Sequence, residues 1–280
     1  MDKSRIKNLI IIVLLLVNVF LAGIVISDSA QSRAYASASD ESLMEALKNS
    51  GITLADRSLL NAGTVPSCSV SRDLSREKRQ VSSVIGSVQQ QDQGGNIVMY
   101  YGNDGQACFR GTGDFEILME NATVPVGDDP ARTSENFLKK IGIDIDADTA
   151  QVKYSSSGAS CTVTAMCLFE GRPIVNCLVT LNYSDTNLLL VSGTRPLTDA
   201  SESASGSEMD AATAVMRLIA MLEDSGYLCS SITDVGHCYK MDVSASGTGT
   251  LTPLWRFSTD IGDFYINGIT GKTETVTQNN

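Results

Sequence analysis

Leu222-Glu-Asp-Ser-Gly226-Tyr227 closes a run in which Ala211, Val215, Leu218 and Leu222 return at helical spacing. Such an ending predicts a Schellman cap. The glycine takes the left-handed conformation just past the helix, and the leucine three residues inside touches the apolar residue beyond it. The same grammar occurs at Leu47-Lys-Asn-Ser-Gly51-Ile52 and at Leu138-Lys-Lys-Ile-Gly142-Ile143. Starts fit these stops: Ser39 for the first helix, Asp129 with Pro130 at N1 for the second, and Ser207 with Asp210 at N3 for the third. A further helix is read from about Ser75 to Ile85, with Ser75 as its cap.

Between the helices the pattern turns to strands. Asn96–Tyr101, Gln106–Arg110 and Asp114–Met119 are separated by Asn103-Asp104-Gly105 and Gly111-Thr112-Gly113, a meander with hairpin turns. Strands follow at Gln151–Tyr154, Cys161–Phe169, Ile174–Tyr183 and Leu188–Ser192, and Thr198–Ser207 is a small, polar linker. Ser184–Gly193 aligns without a gap on Thr259–Gly268, each a hydroxyl–Asp turn followed by a strand ending in a polar residue and Gly. Helices set beside antiparallel strands define an α+β chain.

The chain has 280 residues, 21 basic against 32 acidic, and a net charge of −11. That balance disfavours a nucleic-acid surface, which gathers Lys and Arg on one face. Leu9–Ile26 is an 18-residue apolar run interrupted only by Asn18. At about 1.5 Å per residue it covers most of a bilayer core. Lys3, Arg5 and Lys7 precede it and Asp28 follows, which places the N-terminus in the cytoplasm and the rest of the chain outside. The alternative is a cleaved signal peptide. The run exceeds an ordinary signal core, and Ala34-Tyr35-Ala36 lies well beyond its end, so a membrane anchor is expected. Asn18 is the one partner-binding candidate, by hydrogen bonding to another helix in the membrane. Beyond residue 29 the chain carries 18 basic and 30 acidic residues.

Candidate chemistry falls motif by motif. The seven cysteines, Cys68, Cys108, Cys161, Cys167, Cys177, Cys229 and Cys238, contain no C-x-x-C. Cys108, Cys167 and Cys177 read as small buried hydrophobes. Cys161/Cys167 and Cys229/Cys238 are near enough in sequence for short-loop disulfides, a matter spacing leaves open. Asp144, Asp146 and Asp148 lack the glycine and the closing carboxylate of a calcium loop. Gly271-Lys272-Thr273 lacks the first glycine of a phosphate loop and has no helix after it. Ser75 and Lys78 form an S-x-x-K string without its companion motifs. His237, the single histidine, neighbours Cys238, but adjacent strand residues face opposite ways, so the two do not form a dyad. Trp255 and Tyr265 read as cross-strand packing in a C-terminal hairpin. No catalytic residue, cofactor site or metal site is read, and the chain is expected not to be an enzyme.

The opening Met1-Asp2-Lys-Ser-Arg-Ile-Lys7-Asn-Leu-Ile-Ile-Ile, with Asn18-Val-Phe-Leu21, resembles the start of YycI-type proteins of Firmicutes. Many members carry Trp where this chain has Lys3. Phe169-Glu-Gly-Arg-Pro173, Leu254–Asp260 and Tyr265–Gly271 are similar to that family's strand pairs and to PepSY-like modules. The resemblance implies a non-enzymatic, membrane-anchored regulator of a WalK/YycG-type sensor histidine kinase, acting with a YycH-like sister protein through its membrane helix and external domains. The expected layout is a cytoplasmic N-terminus and anchor over 1–29, a juxtamembrane helix and linker over 30–73 and a first α+β module over 74–197. A linker over 198–206 and a second, PepSY-like module over 207–280 follow, each module an antiparallel sheet with a packed helix. An alternative is a tethered PepSY-type module that binds a ligand or inhibits a cell-wall peptidase. A hydrolase using Ser75 and Lys78, or a lone Cys, is a third reading, and it lacks an oriented base.

Overall fold

A computed structural model of the protein describes residues 42–121, 124–155, 160–197, 199–202, 208–244 and 246–275. The apolar run with Asn18, together with Ser39 and Ser207, lies outside these residues. Among the described residues no helix is long and apolar enough to cross a membrane. The chain divides into two units, residues 1–53 and 54–280. In the first, residues 42–49 form helix α1, which buries Leu43 and Leu47 and closes as its sequence dictates: Ile52 N–H donates to the Leu47 carbonyl at 2.9 Å, with Gly51 at φ 70°. The short strand β1 (Thr53–Leu54) follows it.

The second unit is mixed α+β and dominated by sheet. In chain order its elements are β2 (Cys68–Ser71), α2 (Leu74–Ile85), β3 (Gln89–Gly94), β4 (Ile97–Tyr101), β5 (Gly105–Arg110) and β6 (Asp114–Met119). There follow α3 (Pro130–Lys140), β7 (Asp144–Ile145), β8 (Gln151–Tyr154), β9 (Cys161–Phe169), β10 (Arg172–Ser184) and β11 (Asn187–Thr194). The chain ends with β12 (Asp199–Glu202), α4 (Ala211–Ser225), β13 (Ser231–Val243), β14 (Thr248–Thr259), β15 (Gly262–Asn267) and β16 (Thr273–Glu274). Helices α3 and α4 end on the Schellman bonds their sequences call for, Ile143 N–H to Leu138 O at 3.0 Å and Tyr227 N–H to Leu222 O at 3.1 Å. Their starts differ in part from expectation. Asp129 caps α3 as read, but Asp73 rather than Ser75 caps α2, and Asp210 is itself the cap of α4. An Asp just before the helix outcompetes a Ser inside it because its carboxylate also meets the helix dipole.

The strands form two layers of pairing. In sheet I the order is β9-β10-β11-β6-β5-β4-β3, all antiparallel, with β7 and β8 both on the outer side of β9. In sheet II the order is β12-β2-β14-β13; β15 lies beyond β2 along the same edge of β14, and β16 pairs with β15. The two sheets meet at a single parallel pairing, Ile174 of β10 with Tyr239 of β13. Period-2 alternation aims Val163, Val179, Val191, Ile117, Phe109 and Val98 to the buried face of sheet I, in one core with Val81 and Ile85 of α2 and Phe137 and Leu138 of α3.

Chain order and sheet order disagree in an informative way. The stretch 30–73, read as helix and linker, supplies β2 to sheet II, and the stretch read as a linker before α4 supplies β12 beside it. Sheet I, with α2 and α3, is therefore inserted between two strands that are neighbours in sheet II, where Ser71 and Asp199 are cross-strand partners. The repeated segments 184–193 and 259–268 both form the return strand of a hairpin, β11 and β15. Their turns differ: Asp185 and Thr186 both take positive φ, 48° and 67°, whereas in the second it is Gly262 that does so, at 127°.

Candidate interaction surface

The insertion has two connections, at Arg72 and at Arg195, and both end on one carboxylate. Glu77, in the first turn of α2, sits on the same face as Val81 and Ile85 and is buried with them. Its Oε1 accepts from Arg72 Nη2 at 2.6 Å and from the Tyr100 hydroxyl at 2.9 Å; its Oε2 accepts from Arg195 Nη2 at 2.7 Å and from Arg72 Nε at 3.0 Å. All four acceptor positions of the carboxylate are filled. The network holds one positive charge in excess. The carbonyls of Asn96 and Phe109 accept from Arg72, and the Phe109 ring lies 4.7 Å from the Arg195 guanidinium carbon. Burial nonetheless pushes the Arg195 pKa down, and burial followed by the Glu77 charge pushes that of Tyr100 up. Gly113 admits the Arg195 backbone: a Cβ there would stand 2.6 Å from the Arg195 carbonyl oxygen. The arrangement is closed to ligands and acts as a lock on the insertion.

A second buried carboxylate, Glu208, precedes α4. Its Oε2 accepts the Val65 N–H at 2.6 Å and lies 3.2 Å from His237 Nε2, whose ring is tilted against Trp255 at 4.0 Å. The Trp255 indole N–H is occupied by the Met209 carbonyl at 3.1 Å. Cys238 faces the other side of β13, among Val175, Leu254 and Tyr265, with its thiol pushed up to about 12 by burial. The alternation separates it from His237 as the sequence requires.

The remaining sequence candidates are dispersed. Ser75 and Lys78 are exposed on α2. Asp146 accepts the Asp148 N–H at 3.0 Å in a turn, Asp148 pairs with Arg132 at 2.7 Å, and Asp144 starts β7, so the three aspartates do not converge. Lys272 leads into β16 and Thr273 is its first residue. Trp255 stands opposite Ile266 across β14 and β15, the aromatic–β-branched pairing expected of it; Tyr265 stands opposite Arg256. Neither short-loop pair, Cys161/Cys167 or Cys229/Cys238, is bridged in the structure. Cys167 and Cys177 are fully buried, while Cys108 is only half-buried. Among the described residues no group of three or more His, Cys, Asp and Glu is placed to hold a metal ion.

Exposed apolar side chains occur on several elements, Leu74, Tyr101, Tyr154, Leu189 and Met216 among them, and three more lie at one end of sheet II. Just past α4, Tyr227 is 56% exposed and Leu228 92% exposed; Ile261, in the β14–β15 turn, is 43% exposed. Asp260 staples these two loops. Its carboxylate accepts from the Ser230 hydroxyl at 2.6 Å, from the N–H groups of Ser230 and Ser231, and from the Cys229 thiol. The Ser230 hydroxyl first, then the Ser231 N–H, hold the Asp260 carboxyl well below the usual carboxylate range. Alongside, Tyr227 tilts on Phe264 at 5.9 Å over an open cavity of about 550 Å³ whose lining includes Met221, Tyr265 and Glu274. A second open cleft of about 620 Å³ crosses the small hydroxyl side chains of Ser69, Ser71, Ser201, Ser244 and Thr248. Exposed apolar groups beside one another favour contact with another macromolecule. The sequence reading missed Leu228 and Ile261 because exposure is not written in a loop. Glu77 was available to it, as a charge at a helix position that periodicity assigns to the core.

No protein-family model matches the chain, and no curated protein matches it. Among solved structures it is similar to an uncharacterized protein from Eubacterium rectale, with a TM-score of 0.46 and 10% identity over 76% of this chain and 86% of that one. It is also similar to YycH from Bacillus subtilis, with a TM-score of 0.35 and 10% identity over 76% of this chain and 50% of YycH.

Proposed function

We propose that the protein is a membrane-anchored, non-enzymatic regulator of a WalK/YycG-type sensor histidine kinase. It acts outside the cytoplasm by protein–protein contacts, together with a YycH-like partner. The observation that carries this reading is the apolar end of sheet II, where Tyr227, Leu228 and Ile261 project from loops that Asp260 holds in place. Glu77 is engaged by Arg72, Arg195 and Tyr100 in the interior, which makes that cluster structural in this reading. The apolar run 9–26 supports anchoring, with Asn18 as the group that meets a helix of the kinase or of the sister protein.

Replacing residues 9–26 by an unrelated apolar helix of equal length tests the proposal. Kinase output should change while the external domains fold as before, and an unchanged output would count against it. The cavity beside Tyr227 and Phe264 favours a second reading, a PepSY-type module that takes a ligand or restrains a peptidase. That activity would survive in a protein lacking the anchor.

A further inference from the structure

The edges of the sheets are unequal. Strands β8 and β12 are four residues long, β7 and β16 only two, and β8 also carries Lys153; short and charged edges deter pairing with foreign strands. Strand β3 is built otherwise. It closes one end of sheet I, among the described residues pairs only with β4, and runs for six residues, Gln89-Gln-Gln-Asp-Gln-Gly94, all of them exposed. It holds no proline and no lysine, and its one charge is Asp92. Its outer row of backbone N–H and C=O groups is therefore open to another strand, and its side chains are amides that both donate and accept.

We propose that β3 is a homodimerisation edge, pairing antiparallel with β3 of a second copy so that two sheets I become one. The sequence is self-complementary in that arrangement. A two-fold axis at Gln91 sets Gln91 against itself, Gln89 against Gln93 of the second copy, and Gln90 against Asp92 of the second copy. Each Asp92 then faces an amide donor instead of a like charge, whereas an axis at Asp92 would oppose the two carboxylates. One oxygen of Asp92 is engaged by the Gly94 N–H at 2.8 Å, which leaves the other for the amide. A two-sided polar strand with one carboxylate, which this register places opposite an amide, suits a second copy of itself better than an acidic or apolar partner. The inference stands independently of the regulator reading.

The test uses the full-length chain, in membranes and after extraction in mild detergent. Three forms are compared: wild type, Gln91→Lys, and an equimolar mixture of Gln91→Lys with Gln91→Glu. Residue 91 is exposed, so none of these changes threatens folding. Light scattering should give twice the chain mass for wild type and half that value for Gln91→Lys, because two lysines then oppose each other at the axis. The dimer should return in the mixture. In membranes, Gln91→Cys should cross-link to itself under mild oxidation and Gln90→Cys should not, since directly opposed Cα atoms stand within disulfide reach. A monomeric wild type, a dimer indifferent to Gln91→Lys, or equal cross-linking at residues 90 and 91 would overturn the proposal.

Discussion

Glu77 and Arg195, 118 residues apart, meet at 2.7 Å in the interior, with side chains only 1% and 3% exposed. Arg195 follows the last strand of the inserted sheet and Arg72 precedes its first helix, so one carboxylate ties both connections. Buried charges are costly unless paired, and here the carboxylate is fully engaged, though one positive charge is in excess: a two-bond Arg72 contact, an Arg195 contact and a tyrosine hydroxyl converge on two oxygens.

Breaking that carboxylate should be severe. Glu77→Gln keeps the shape but leaves two buried guanidinium groups without a counter-charge, a loss expected at about 3–5 kcal/mol. Urea unfolding measures it. A triple change of Glu77, Arg72 and Arg195 to Leu, Met and Met should recover most of the loss, since a well-packed apolar set of similar volume removes all three charges together. A triple variant no more stable than Glu77→Gln would show that the lock matters by more than charge matching.

The two sheets are joined by a side chain as well as by backbone. Asn176 Nδ2 donates to the Met241 carbonyl at 2.7 Å and Met241 N–H donates to Asn176 Oδ1 at 2.9 Å, so the amide copies a strand pairing beside the lone parallel pair of Ile174 and Tyr239. Asn176→Leu removes both bonds, at about 1 kcal/mol each. Hydrogen exchange at the Met241 amide should quicken markedly, with little change at Val179 in the middle of sheet I. Unchanged protection at Met241 would assign the joint to the backbone alone.

Burial raises the thiol pKa of Cys177 and of Cys238 to about 12. The unfolded thiols ionise near their ordinary value, so the folded chain retains protons that the unfolded chain releases. Stability from these groups is whole below the unfolded value, about 8.5, and is lost as pH rises from there toward 12. At pH 8 a maleimide should reach half-buried Cys108 and Cys229 first, and the other five thiols only on unfolding. Early labelling of Cys177 or Cys238 would contradict their closed environment.

Much of the fold was legible because its signals are local. The Leu-x-x-x-Gly endings at Leu138 and Leu222, the cap at Asp129 and the strands at Gln151–Tyr154 and Cys161–Phe169 all follow from rules acting within a few residues. What escaped the sequence is non-local. β3 has no alternation because both of its faces are wet, and β2 and β12 declare themselves only by pairing across an insertion. The pairing of Glu77 with Arg195 has no signature at either end, although a carboxylate in the register of Val81 and Ile85 marks the first of them. The surface of Leu228 and Ile261 depends on two loops brought together by Asp260, which spacing along the chain does not encode.

The proposed regulator would act by contact with a kinase at the membrane. The most direct measurement is proximity cross-linking of the intact protein in its native membrane, from a probe beside Leu228 and a second beside Asn18, with Leu228→Asp in parallel. That variant exchanges a 92% exposed side chain and should leave unfolding unchanged to within about 0.5 kcal/mol. The account predicts capture of a sensor histidine kinase and of a second single-pass protein, with capture at the external probe lost in Leu228→Asp. Capture of a wall peptidase or a peptide alone, indifferent to Leu228→Asp, would contradict it.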